Sequence, residues 1–325
     1  MLQDRYGRRF YYLRLSVTDI CNFRCNYCLP DGYQCEKSLS RENPLSVTEA
    51  GTVVRAFASL GTEKIRLTGG EPSLRKDLAQ LIETAKSISG IRRVAITTNG
   101  YKLPGEIDSW QGAGLDQLNV SIDSLDPQQF RAITGHDKLQ TILRGIDRAL
   151  ELNIPTKVNA VLLREHNLGT FNEFLEWIRS TPVSLRFIEL MRTGDNREFF
   201  ASNHVAGSDI ENRLLRDGWS LVERERDAGP AKEFAHPDFA GRIGLIMPYS
   251  KDFCATCNRL RISAQGALHL CLFAEQGVDL RAAIAAGDHL ALAEKIREAV
   301  CGKNASHQLQ DGFTGGTRNL SMLGG

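Results

Sequence analysis

Apolar residues in the first two-thirds of the chain follow two alternating rhythms. Short runs rich in Leu, Ile and Val, at residues 11–17, 64–68, 93–98, 117–122, 156–163 and 185–190, are bounded by turn residues and read as strands. Between them, residues 47–60, 76–88, 105–111, 141–152 and 171–179 carry apolar positions at helical spacing, and Ser46 stands before the first as a cap. Strands and helices alternating at this spacing call for a parallel sheet with right-handed crossovers. Polar or small residues close the strands: Asp19, Gly69, Gly70, Thr97, Asn99, Ser121, Asp123, Asn159 and Glu189. In parallel α/β folds that edge is where sites are built. No G-x-G-x-x-G segment opens a helix, which tells against a dinucleotide-binding doubly wound sheet. Near residue 195 the rhythm breaks. Residues 192–197 are turn-rich, and residues 224–240 are charged and contain Gly and Pro, as an exposed loop or hairpin would. The expected division is residues 1–195 as the regular α/β unit and residues 196–325 as a smaller extension.

Composition narrows the class. With 325 residues there is enough chain for one large domain plus that extension, and a net charge of +1 supplies no global field for nucleic acid or membrane. No apolar run reaches transmembrane length, and residues 1–6 lack the apolar core of a signal peptide. The eight cysteines fall as Cys21/Cys25/Cys28 and Cys254/Cys257/Cys271, with Cys35 and Cys301 left over. Groups of three suit metals better than disulfides and imply a reducing compartment, so a cytoplasmic protein is expected.

The first group is C-x3-C-x2-C. Three thiols from one loop leave one iron of a [4Fe–4S] cluster open, whereas structural zinc closes with four protein ligands. A zinc loop and incidental buried thiols are the plainer readings. Tyr27 lies between the last two cysteines, and the strand at 64–68 runs into Gly69-Gly70-Glu71-Pro72. Together these resemble the radical S-adenosylmethionine (SAM) enzymes, which hold SAM's amino group with such a turn. For the second group, spacing alone leaves open a zinc knuckle completed by His269 or Cys301, and a redox dithiol. Arg259 and Arg261 follow Cys257 at i and i+2, pointing the same way from an extended segment. Arg14, Arg66 and Lys157 interrupt apolar strands, where an unpaired charge is expensive. Guanidinium forks suit phosphate oxygens, so a polyanion such as a nucleoside triphosphate fits, held by side chains because there is no P-loop.

Residues 10–16, the triad with Leu29-Pro30-Asp31-Gly32, residues 66–72, residues 254–261 and the terminal Gly324-Gly325 occur in order. Over nearly the whole chain this resembles the GTP 3′,8-cyclase family of molybdenum cofactor biosynthesis. The resemblance implies a partial (β/α)6 TIM-like barrel of the radical SAM type, with a smaller C-terminal extension carrying a second iron–sulfur cluster. It implies SAM and two [4Fe–4S] clusters as cofactors, with Cys21, Cys25 and Cys28 on one and Cys254, Cys257 and Cys271 on the other; His269 and Cys301 are then non-ligands. Tyr27, Gly70, Ser121 and Met191 belong to the SAM site on this basis, and Arg14, Arg66, Thr97, Lys157, Arg259, Leu260 and Arg261 to the GTP site. Arg259, Arg261, Gly324 and Gly325 are implied to serve catalysis. In the implied reaction a 5′-deoxyadenosyl radical takes hydrogen from C3′ of GTP and the C3′ radical closes onto C8. The implied partners are a reductant such as flavodoxin or ferredoxin and a downstream cyclic pyranopterin monophosphate synthase, with no nucleic acid or membrane; a homodimer is compatible. The competing readings are another radical SAM enzyme with an auxiliary cluster acting on a peptide, and a zinc-stabilised binding module.

Overall fold

The computed structural model describes residues 1–33, 43–224, 228–318 and 320–323. Cys35, Gly324 and Gly325 lie outside the described residues. Strands β1 (Tyr12–Ser16), β2 (Lys64–Thr68), β3 (Arg93–Thr98), β4 (Gln117–Ser121), β5 (Thr156–Leu162) and β6 (Ser184–Glu189) pair in sequence order, all parallel. The crossover helices are α1 (Val47–Ser59), α2 (Leu78–Ser87), α3 (Leu103–Gly112), α4 (Pro127–Thr134), α5 (Leu139–Glu151) and α6 (Phe171–Ser180). Ser46 caps α1 in a capping box with Glu49.

Helix α4 is an addition to the elements expected from the sequence. Its signals are local: Asp126 accepts the Gln129 N–H at 2.7 Å, Pro127 opens the first turn, and Gly135 closes the helix at φ +76°. The chain after β6 passes through α7 (Arg197–Asn203) and α8 (Gly207–Arg216) to the short β7 (Ser220–Leu221). It continues through β8 (Lys232–Ala235), β9 (Arg242–Ile246), β10 (Arg259–Ile262), β11 (Ala267–His269) and β12 (Val278–Asp279) to α9 (Arg281–Ala285) and α10 (His289–Cys301).

The extension does not build a sheet of its own. β10 pairs parallel with β1, β9 pairs parallel with β6, and the remaining strands add antiparallel edges, giving the order β12-β11-β10-β1-β2-β3-β4-β5-β6-β9-β8-β7. Side-chain alternation then sorts the two faces. Leu13, Leu15, Ile65, Leu67, Val94, Ile96, Leu118, Val120, Val158, Leu185, Phe187, Leu260 and Ile262 form one buried core with the helices. The alternate positions turn to the other face, where register aligns Arg14 with Arg66 on one side and with Arg261 on the other. No helix among the described residues is long and apolar enough to cross a membrane.

Candidate active site

The loop after β1 carries Cys21, Cys25 and Cys28, all partly buried. Phe23 anchors it: the ring is buried, stacks on His136 at 4.6 Å and meets Tyr101 and Phe130 edge-on. The last turn of α4 holds the loop's backbone, Ile133 and Thr134 accepting the N–H groups of Asn26 (3.0 Å) and Arg24 (3.1 Å). From the other side the Gly-Gly-Glu-Pro turn lies backbone against backbone on residues 18–20. Gly70 N donates to Thr18 O (2.8 Å) and Glu71 N to Ile20 O (2.7 Å). A Cβ at Gly69 would come within 2.1 Å of Thr18 O, and one at Gly70 within 2.3 Å of Ile20 O, so neither position has room for a side chain. Glu71, fully buried, ties the turn to the end of β3 by accepting from Ser73 N, Thr98 Oγ1 and Asn99 N. Tyr27 donates to Asp123 at 2.9 Å, and Asp123 also accepts the Val161 N–H. Burial raises all three thiols, Cys28 to about 12, with Asp123 and the neighbouring thiols adding to the rise at Cys25.

The second triad has the opposite electrostatics. Burial alone would raise Cys257, but Arg259, Lys303 and Arg261 outweigh it and draw the thiol down to about 6. Cys254 falls to about 7 against its own burial because neighbouring His307 and Ser306 favour its thiolate. Both thiols and Cys271 line a cavity of about 900 Å³ of empty space, mouth included, together with Tyr12, Arg14, Arg66, Asn159, Arg186, Met191, Arg259, Arg261 and Lys303. The Nε atoms of Arg66, Arg186, Arg259 and Arg261 are buried there without a hydrogen-bond partner among the described residues, as is the Tyr12 hydroxyl. Burial lowers the pKa of Arg14, Arg66 and Arg261, with neighbouring guanidinium groups adding to the effect, and brings Arg186 down to about 9. Such a set of buried like charges asks for a polyanion.

Among the described residues no three His, Cys, Asp or Glu side chains converge tightly enough to hold one metal ion. The three thiols of a cluster each bond a different iron and so stand wider than the ligands of one zinc. Each triad offers three thiols, the soft donor set of an iron–sulfur cluster that keeps one iron open.

The cavity brings together Arg14, Arg66, Met191, Cys254, Cys257, Arg259, Arg261 and Cys271 from the sequence expectation. Lys157 instead pairs with Glu233 at 2.8 Å. Leu260 turns its side chain into the main core, on the face opposite Arg259 and Arg261. Thr97 is half-buried on β3, its Oγ1 without a hydrogen-bond partner among the described residues, and Ser121 is half-buried at the end of β4. His269 faces Gly277. The sequence reading passed over Arg186, although it interrupts an apolar strand just as Arg66 does. Its Nη2 donates to Asn119 Oδ1 at 2.6 Å, which leaves the rest of the fork toward the cavity. Lys303, Phe253 and His307 carried no local signal. The two triads approach through the chain's last described turn: Leu309, Leu320 and Leu323 form a buried cluster with Leu272 and Phe273, and Tyr27, Cys28, Met191 and Cys271 pack against it.

A family model described as Radical SAM superfamily matches residues 15–178, and one described as Molybdenum Cofactor Synthesis C matches residues 183–309. The chain is 52% identical over 326 residues to the GTP 3′,8-cyclase of Actinobacillus pleuropneumoniae serotype 5b, covering 100% of this chain and 95% of that protein. It is 53% identical over 329 residues to the GTP 3′,8-cyclase of Pectobacterium atrosepticum, covering 100% and 99%. Among solved structures, Streptococcus suis SuiB bound to S-adenosylmethionine matches with a TM-score of 0.60 at 11% identity, over 90% of this chain and 68% of that one, a likeness of fold.

Proposed function

The chain belongs to the radical SAM family of GTP 3′,8-cyclases, and from that premise we propose how its own residues carry out the conversion of GTP to 3′,8-cyclo-7,8-dihydro-GTP, the first step of molybdenum cofactor biosynthesis. Two [4Fe–4S] clusters and SAM are its cofactors. Cys21, Cys25 and Cys28 hold one cluster beside SAM, and Cys254, Cys257 and Cys271 hold the other. When bound, the first cluster and SAM supply a one-electron cleavage that yields a carbon radical able to take a ribose hydrogen. Gly70, Tyr27, Ser121 and Met191 border SAM, Gly70 through the backbone of the turn that lies against the first cysteine loop. Arg14, Arg66, Arg186, Arg259 and Arg261 neutralise the triphosphate and fix the ribose and base in one orientation, a positioning effect. The observation that carries this assignment is the meeting of the second triad, in one cavity, with buried arginines of which Arg66, Arg186, Arg259 and Arg261 have an Nε without a hydrogen-bond partner among the described residues. Lys157 joins at the margin once it exchanges Glu233 for phosphate; Thr97 offers its hydroxyl and Leu260 only its backbone. Gly324 and Gly325 stay in the proposed set on sequence grounds.

The first triad and the SAM site lie mostly before residue 195 and the second triad after it, while the GTP site draws on both parts, Arg14, Arg66 and Arg186 from the first and Arg259 and Arg261 from the second. A one-electron donor such as flavodoxin or ferredoxin, a cyclic pyranopterin monophosphate synthase as consumer of the product, and a cytoplasmic setting complete the proposal. The test is anaerobic reconstitution with iron and sulfide, then dithionite, SAM and either GTP or ATP, with products read by mass spectrometry. Deoxyadenosine and a cyclised nucleotide with GTP alone support the assignment. Deoxyadenosine without cyclised nucleotide overturns the substrate site.

A further inference from the structure

The second triad is braced by a part of the chain remote from it in sequence. Residues 3–9 double back as a small hairpin: Gln3 pairs with Arg9, Asp4 N donates to Arg8 O at 3.1 Å, and Gly7 turns the chain at φ +80°. Leu2 and Phe10, on either side, are buried in the main core. The hairpin thereby presents Asp4 and Arg8, whose side chains are 0% and 7% accessible. Asp4 Oδ2 accepts Arg8 Nε at 2.6 Å, and Oδ1 accepts the N–H groups of Tyr6 (2.9 Å) and Arg8 (3.0 Å). The rest of the fork serves backbone carbonyls: Nη1 donates to Cys254 O (3.1 Å) and Ala305 O (2.6 Å), and Nη2 to Asn304 O (2.6 Å). Unlike the cavity arginines, Arg8 has all three nitrogens engaged by the protein.

What it joins gives it a role. One side is the turn that carries Cys254. The other is the segment after α10, whose Lys303 donates to Leu270 O, next to Cys271. Residues 251–256 are successive turns without a strand ladder to fix them. We propose that Asp4 and Arg8 are the positioning pair of the second metal centre, locking the Cys254 turn against residues 303–307 so that three thiols stand ready for one cluster. The proposal rests on the reading that the second triad holds a cluster. Without Arg8 the carbonyls of residues 254, 304 and 305 lose their donor and the two walls part.

The test uses the full chain, reconstituted anaerobically, as parent, Arg8→Met and Arg8→Lys. Iron per chain is counted, and EPR spectra are recorded with SAM and with GTP. The parent should load about eight irons and Arg8→Met about four, with the SAM-induced change of the first centre intact and far-UV circular dichroism unchanged. Arg8→Lys keeps the charge without the fork, so it should load the second centre partly and shift its GTP-induced line shape, which a general loss of stability would not do. Two clusters with an unaltered GTP response in Arg8→Met overturn the proposal. So does the joint loss of both clusters, which would make Arg8 a general stabiliser. A parent chain that loads only one cluster overturns instead the reading beneath the proposal, and the proposal with it.

Discussion

Arg186 lies between Leu185 and Phe187 on β6, with Arg66 among the charges that depress its pKa. Its charge is costly in the ligand-free chain, where the bond to Asn119 offsets only part of that cost, and is compensated when a polyanion arrives, so its two effects have opposite signs. Arg186→Met should weaken GTP binding by about 30-fold or more, roughly 2 kcal/mol, in calorimetry. The same substitution should leave the ligand-free chain melting no lower than the parent, and a marked drop would show that the guanidinium is structural. Asp123 gives a pH test. Burial lifts its carboxyl from 3.8 to about 6, even though the Val161 N–H and the Tyr27 hydroxyl both favour the charged form. The folded state therefore binds this proton more tightly than the unfolded one. That contribution is full below the unfolded pKa and is lost as pH rises through about 6. Asp123→Asn should thus gain stability on the cluster-free parent between pH 5 and pH 7.5, by about 1–1.5 kcal/mol in urea titrations. A pH-independent difference would exclude the burial effect. At this scale Arg14 and Arg66 were legible as charges that break apolar strands, and Arg186 carries the same signal, but so does Lys157, which pairs with Glu233 instead. Lys303 and Arg8 were not legible, since nothing in their own neighbourhoods marks the thiol loops they meet.

The elements divide into those written in local signals and those held by contact. The Gly-Gly-Glu-Pro turn is both, a short motif whose two glycines are required by the approach of residues 18–20. Gly70→Ala should push that turn off the first cysteine loop, lowering the melting temperature by the equivalent of about 1–3 kcal/mol and reducing SAM binding, measured on the reconstituted chain. Gly105 is the contrast. It lies in α3 with nothing within 4 Å of an added Cβ, so Gly105→Ala should stabilise the chain by up to about 1 kcal/mol. If the two substitutions behave alike, close backbone approach is not what selects glycine at residue 70. Helix α4 shows how an element can carry clear signals and still be passed over: it is eight residues long, between a strand and a longer helix. Its importance lies in holding Arg24 and Asn26 of the triad loop, a contact no periodicity announces.

On the scale of the whole molecule, β9 and β10 give β6 and β1 their outer neighbours, and α10 packs against α1. A fragment of residues 1–195 would open both sheet edges and uncover apolar helix surface. It should express as aggregate or elute as large species in size exclusion, while the full chain does not; a monomeric, folded fragment would show that the first unit stands alone. The sequence by itself determined the strand–helix alternation, the parallel sheet, both thiol triads and most of the cationic residues. These depend on side-chain period and on short spacings, which are local properties. Only the tertiary structure decided that the extension closes onto both edges of the first sheet, that Arg186 and Lys303 join the cavity while Lys157 is tied to Glu233, and that Arg8 braces Cys254. Those outcomes depend on register between strands far apart in the chain and on which buried polar atoms find partners. Such long-range pairings are settled by packing, and no single segment encodes them.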